Sequence, residues 1–153
     1  MLSKKAKYGL RAMLYLAQNS GRGPILISEL AKQEGMPRKF LEQILLELKN
    51  RGVLQSKMGR GGGYFLNKSA KSITFGQIVR CFDGPLAPVP CVSQNFYRRC
   101  EECRDENTCA IRLVMKDVRD AIADILDGTC LDAALERAEH AVSEASGTLM
   151  YHI

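Results

Sequence analysis

Apolar residues in the first third of the chain repeat at helical intervals. Leu10, Met13, Leu14 and Ala17 follow i, i+3, i+4, i+7 and predict a first helix from Ser3 to Gln18, closed by Asn19-Ser20-Gly21. Ser28 is expected to cap a short second helix through Leu30 and Ala31, which Gly35 stops. Pro37 suits the first turn of a third helix, because that position has no use for the missing N–H. This helix buries Leu41, Ile44, Leu45 and Leu48 and ends at Gly52. The rhythm then changes: Val53 to Met58 and Tyr64 to Leu66 read as two short strands around the tip Gly59-Arg60-Gly61-Gly62-Gly63. Thr74-Phe75-Gly76-Gln77 has the spacing of a capping box and opens a helix holding Ile78, Val79 and Phe82, which Gly84-Pro85 ends. From Cys109 to Leu126, Ile111, Val114, Met115, Val118, Ile122 and Ile125 form one stripe on a helix ~27 Å long at ~1.5 Å per residue. Thr129 is expected to cap a final short helix with Leu131 and Leu135.

These elements describe a mainly α fold with a small β wing: a winged helix-turn-helix followed by a long dimerisation helix. In a helix-turn-helix the second helix enters the major groove and offers its N-terminal residues to base edges. Arg38, Lys39, Glu42 and Gln43 lie on the polar face of the third helix and are the suitable readers. A guanidinium grips guanine, a carboxamide pairs with adenine, and a carboxylate accepts from cytosine. Arg60 at the wing tip fits a phosphate or a narrow minor groove, and Gly61 and Gly62 let the backbone approach closely. The glycine run lacks the G-x-x-x-x-G-K-[ST] pattern of a nucleotide loop. A stripe as long as the one after Cys109 exceeds what a small winged helix covers, so pairing with a second copy in a two-fold homodimer is expected, against the plainer alternative of packing within one chain.

Charge separates the two ends of the chain. Residues 1–71 carry 14 Lys/Arg against 4 Asp/Glu, a net +10; residues 72–153 carry 8 against 13, a net −5. The basic half suits double-stranded DNA, with Lys5 and Lys7 as phosphate contacts and Tyr8 beside them. No apolar run approaches the ~18 residues a membrane span needs, and Met1-Leu2-Ser3-Lys4-Lys5 is not followed by a signal-peptide core, so a cytoplasmic chain with no membrane partner is expected. With two distant histidines, His140 and His152, no nucleophile, base and orienter can be assembled, and an enzyme is not expected.

Four of the six cysteines, Cys91, Cys100, Cys103 and Cys109, crowd one Arg- and Glu-rich loop. Gathered thiolates in a reducing compartment suit a metal or an iron–sulfur cluster, with a 2Fe–2S or 4Fe–4S cluster, zinc in a closed tetrahedron and a bare thiol switch all open by spacing. Cys81 and Cys130 read as packing residues. The expected organisation is a winged helix-turn-helix DNA-binding domain over 1–84, a cysteine-rich cluster or sensor loop over 85–109, and a dimerisation helix with a C-terminal helix over 110–153.

Three motifs resemble one known group. Lys7-Tyr8-Gly9-Leu10-Arg11-Ala12-Met13, Phe40-Leu41-Glu42-Gln43-Ile44-Leu45 and Arg60-Gly61-Gly62-Gly63-Tyr64-Phe65-Leu66 are similar to the signature of the bacterial iron–sulfur regulators typified by IscR, NsrR and RirA, over about residues 3 to 135. The resemblance implies a homodimeric winged-helix transcription factor on a palindromic operator, with the helix at 37–50 in the major groove and the wing arginine in the minor groove. It implies three cysteine ligands, of which Cys103 and Cys109 have the family's spacing, while the first is Cys91 or Cys100. The chain departs from IscR-like members in carrying Arg112 three residues after the last cysteine, where they carry a histidine, and from NsrR-like members in lacking an N-terminal acid. Four thiolates would complete the site without either. The alternative function is an iron–sulfur or zinc redox or assembly protein whose basic half binds an acidic partner protein.

Overall fold

A computed structural model describes residues 2–150, with side-chain placement through residue 147. Helix α1 (Lys4–Gln18) starts at Ser3, whose Oγ accepts from the Ala6 N–H at 3.0 Å. Helix α2 (Ile27–Glu34) ends on Gly35 in the left-handed conformation, φ 61°. Helix α3 (Arg38–Asn50) follows, with Pro37 at its N-cap. Leu41, Ile44, Leu45 and Leu48 of α3 are fully buried, packed with Met13 and Leu16 of α1 and Leu30 of α2. Burying each such side chain stabilises the fold by about 1.5–3 kcal/mol before the entropy of ordering it is counted.

Strands β1 (Leu54–Lys57) and β2 (Gly63–Leu66) pair antiparallel in the register Leu54–Leu66 and Lys57–Gly63. A third short partner comes from the chain before α2. Ile25 and Tyr64 exchange both backbone hydrogen bonds, at 2.9 and 2.8 Å, tying the wing to the body. This bridge corrects the expected start of α2: the chain stays extended through Leu26, the N-cap, and Ser28 falls inside the first turn without capping it.

Helix α4 (Phe75–Asp83) opens with the complete capping box, Thr74 accepting from the Gln77 N–H while the Gln77 side chain accepts from the Thr74 N–H. Its Arg80 makes a two-pronged ion pair, at 2.5 and 2.8 Å, with Asp127 on helix α5 (Ala110–Gly128). Gly76 leaves the room: a Cβ there would lie 1.9 Å from the Asp127 carboxylate. The chain between α4 and α5 carries one short 3₁₀ turn, Pro90–Val92.

Thr129 is the C-cap of α5, not the start of the last helix. Its hydroxyl donates to the Ile125 carbonyl at 2.7 Å and its carbonyl accepts from the Phe75 N–H at 2.9 Å. Cys130 pairs with Thr74 in an isolated antiparallel bridge just before the last helix, and its sulfur accepts from the Ala133 N–H at 3.4 Å. Helix α6 (Leu131–Met150) is 20 residues long where a short helix was expected, because Ala, Leu, Glu and Arg, all good helix formers, dominate its first half. Its Leu131 is fully buried in the same core as α3.

Two outcomes test this packing. Gly63 combines φ 141° with a backbone neighbour, Ile25 O, 2.3 Å from where a Cβ would sit. Gly63→Ala is expected to cost about 2 kcal/mol or more in denaturant unfolding, whereas Gly21→Ala, with open space and ordinary φ, is expected to stay within about 0.5 kcal/mol. The Arg80 hydrogen bonds hold the Asp127 carboxyl below its ordinary value. Its folded pKa lies under the unfolded one, so the contribution is present above about pH 4 and fades as pH falls through the folded value. The half-exposed pair is worth under about 1 kcal/mol, and the stability gap between wild type and Asp127→Asn should close in acid.

Candidate DNA-reading face and cysteine site

Because the apolar stripe of α3 is locked inward, its other face is fixed outward. Arg38, Lys39, Glu42 and Gln43 are all exposed, and Arg38 pairs with Glu42 one turn on at 3.1 Å. The intervening Phe40 is half-buried edge-on against Tyr8, ring centroids 5.5 Å apart, which ties the start of α3 to α1. Tyr8 is therefore largely a packing residue of the junction. Lys4 and Arg11 each approach its ring to 5.7 Å, and sequence reasoning passed over both. An aromatic residue with basic neighbours three or four positions away on one helix was the available signal.

Lys7 is exposed on α1. Lys5 differs: its ammonium is engaged by Glu47 of α3 and lies over the Phe82 ring at 5.6 Å. It helps hold α1 against α3 and α4 and would have to leave Glu47 to meet a phosphate. On the wing, Arg60 and Gly61 are exposed. Gly62 is buried, with its N–H donated to Gly59 O at 3.0 Å, and a Cβ there would lie 2.3 Å from Lys57 O. Its place is in closing the turn, so its amide is not free for a partner. Met58, beside Arg60, is 91% exposed and was also passed over.

The cysteine loop forms a second site at the opposite end of the fold logic, where α5 begins. Cys91, Cys100, Cys103 and Cys109 line one depression of about 580 Å³, together with Arg98, Arg99 and Arg112. Cys91, Cys103 and Cys109 are half-buried and Cys100 is exposed. Cys109 is also the N-cap residue of α5. Burial, then the neighbouring Cys109 thiol and its hydrogen bond, push the Cys103 thiol above its ordinary value, with Arg99 opposing. The middle of the loop is braced locally: Arg99 donates to Cys103 O and Arg104 O at 3.2 and 3.3 Å, and Asp105 accepts from the Asn107 N–H and Thr108 hydroxyl at 3.0 Å.

Four sulfur donors on one opening, lined also by three guanidinium groups and by Glu101 and Glu102, fit the donor chemistry of a thiolate-bound centre. Among the described residues no three His, Cys, Asp or Glu side chains stand close enough to hold a metal ion. His140 lies exposed on α6 and His152 lies outside the described residues. Cys81 stands apart on α4, its thiol donating to Gln77 O, and burial pushes that thiol up. Among the described residues no helix is long and apolar enough to cross a membrane.

Comparison with known proteins bears on both sites together. A family model described as Rrf2, an iron-dependent transcriptional regulator, matches residues 2–137. An rrf2-like HTH-type transcriptional regulator of Rhodobacter capsulatus is 40% identical over 138 residues, spanning 88% of this chain and 92% of that protein. The structure of CymR, the global cysteine regulator of B. subtilis, superposes with a TM-score of 0.75 at 31% identity, over 90% of this chain and 97% of that one. IscR of T. potens superposes at 0.73 with 28% identity, over 92% and 90%. These relatives are named as regulators of transcription and not as enzymes.

The exposure differences predict an order of thiol reactivity. In reduced, metal-free protein at neutral pH, iodoacetamide should modify Cys100 at least about tenfold faster than Cys81. Peptide mass spectrometry over a time course measures it; equal rates would mean that the two environments are not as described.

Proposed function

This chain belongs to the Rrf2 family of iron-dependent transcriptional regulators, and on that premise we propose that it is a homodimer whose operator binding is controlled by an iron–sulfur cluster held in the Cys91–Cys109 loop. The single observation that carries the reading is that Cys109 is at once a member of the cysteine site and the cap of α5. What orders the loop therefore acts on the start of the helix proposed to join two subunits.

Helix α5 has no buried residue in the single chain. Ile111, Val114, Val118, Ile122 and Ile125 stand exposed along it, an apolar face that favours a second copy in an isologous contact. Each subunit then offers one α3 and one wing. On this reading Gln43, Arg38 and Lys39 meet base edges with Glu42 orienting Arg38, Arg60 enters the minor groove, and Lys7 with Lys4 meets phosphate. Lys5 steadies α1 against Glu47, while Tyr8 and Gly62 support the surface from beneath. A bound cluster would supply a centre sensitive to oxidants and iron supply. Cys103 and Cys109 with Cys91 or Cys100, or all four, would hold it, and Arg98, Arg99 and Arg112 would balance its charge.

The experiment is anaerobic purification followed by absorption spectroscopy and iron, sulfide and zinc analysis, with footprinting on a promoter fragment. Iron and sulfide in the protein and a symmetric footprint, its half-sites about 10 bp or a multiple apart, are expected. Stoichiometric zinc without iron, or a monomer protecting one half-site, would reject the reading.

Substitutions should separate the contacts by role. Gln43→Ala should relax base preference and Arg60→Ala should weaken binding, each by ~1–3 kcal/mol. Lys7→Ala should lower affinity for all sequences and flatten the salt dependence. Lys5→Ala should instead lower unfolding stability and leave the salt slope unchanged. Binding titrations at several salt concentrations measure each, and a wild-type slope in Lys7→Ala would misplace the phosphate surface.

A further inference from the structure

Helix α5 presents a second face to the body of its own chain. Arg112, Met115, Arg119, Ala123 and Leu126 are half-buried and follow the i, i+3, i+7, i+11, i+14 rhythm of the exposed apolar stripe, displaced by one residue and so by roughly 100° around the helix. Among the described ion pairs Arg119 has the least exposed side chain, 15%. Its Nη1 donates to the Val92 carbonyl at 2.6 Å while its Nε donates to Asp120 at 2.8 Å. Two turns earlier, the Arg112 Nε donates to the Cys91 carbonyl at 3.3 Å. Beneath these contacts Val92 and Ser93 are 3% and 7% exposed. Neither base reading nor the proposed subunit contact uses these two arginines.

We infer that Arg119, with Arg112, is a positioning residue for the cysteine site, docking the Pro90–Val92 turn on α5 so that Cys91 is presented from the same helix that begins at Cys109. The inference rests on the proposed cluster for its purpose but not for its geometry. Both arginines grip backbone carbonyls, which leaves the Cys91 thiol free for a ligand. The Arg119 guanidinium serves the Val92 carbonyl and the Asp120 carboxylate at once, for which an ammonium lacks the fork. Cys100 and Cys103 lie on the intervening segment, linked to the turn by the Arg98 N–H to Pro90 O and otherwise braced within itself. Cys91 and Cys109 are thus both carried on α5, Cys109 as its cap and Cys91 through the clamp, with the Cys103 thiol hydrogen-bonded beside Cys109 and Cys100 on the exposed part of the segment.

The test uses the full chain with Arg119→Leu, Arg119→Lys and Arg112→Gln. In reduced, metal-free protein, iodoacetamide should modify Cys91 about fivefold faster or more in Arg119→Leu, with Cys100 unchanged and Arg119→Lys in between. Anaerobic reconstitution with ferrous iron and sulfide should then give a visible circular dichroism spectrum altered in Arg119→Leu, faster loss of visible absorbance to a chelator, and partial recovery of both in Arg119→Lys. Should Arg119→Leu not fold, Arg112→Gln, which removes the other clamp, carries the same comparison. A Cys91 rate insensitive to Arg119→Lys and Arg112→Gln, or spectra and chelator loss identical to wild type in every loaded variant, would overturn the inference. Failure of the wild type to take up iron would instead reject the cluster reading, while the Cys91 rate would still decide the clamp.

Discussion

Four side chains of α3, Leu41, Ile44, Leu45 and Leu48, leave no surface to solvent, and this fixes the rotation of the helix about its own axis. Turning it by one residue would bring a glutamate or glutamine into the core at a cost of several kcal/mol per unpaired polar group. The outward direction of Arg38, Lys39, Glu42 and Gln43 follows from that constraint. So does the position of the wing, because β1 continues directly from α3 and Leu54 enters the same core. The Ile25–Tyr64 bridge then sets where the tip stands. A reading surface made of exposed, flexible side chains gains its geometry from buried, inflexible ones.

Ile73, Ile78 and Val79 around α4 and Leu131 of α6 complete this core, while α5 is joined to it at few places. Arg80–Asp127 links α4 to α5, and the Thr74–Cys130 bridge with Leu131 returns the chain to the body. Between these points α5 projects an apolar face that its own chain does not cover. The cysteine loop is anchored to that helix at both ends, through Cys109 at its cap and the arginine contacts to Cys91 and Val92. We propose that a change in the loop acts first on α5. On the proposed reading the signal reaches DNA through the spacing of two recognition helices, with no direct contact between the cysteines and the reading face.

Periodicity made most of the fold legible. The α3 stripe, the capping box at Thr74 and the α5 stripe each depend on residues a few positions apart, which a sequence displays directly. The misses have long-range causes. Ser28 has the chemistry of a cap, but the distant strand pairing of Ile25 decides where the extended chain ends. Thr129 likewise has a capping side chain that the strand-like return to Phe75 commits to the preceding helix. Among the candidate contacts, Lys5 looks like its neighbour Lys7 until Glu47 and Phe82, over forty residues away, are brought beside it. Met115 belongs to the α5 stripe by spacing and yet borders the face turned to the body. The carbonyl contacts of Arg112 and Arg119 left no motif beyond two arginines seven apart, since a backbone acceptor carries no sequence signature.

For the state of the cysteine site to change DNA affinity, as proposed, DNA must interact differently with the two states, and mere proximity does not suffice. Fluorescence anisotropy on one palindromic operator fragment, at fixed salt, compares anaerobically loaded protein, the same protein stripped by a chelator, and Cys103→Ser. A difference of about 5- to 150-fold between loaded and stripped forms, corresponding to ~1–3 kcal/mol of coupling, is predicted, with Cys103→Ser matching the stripped form. Equal affinity in all three would contradict the account.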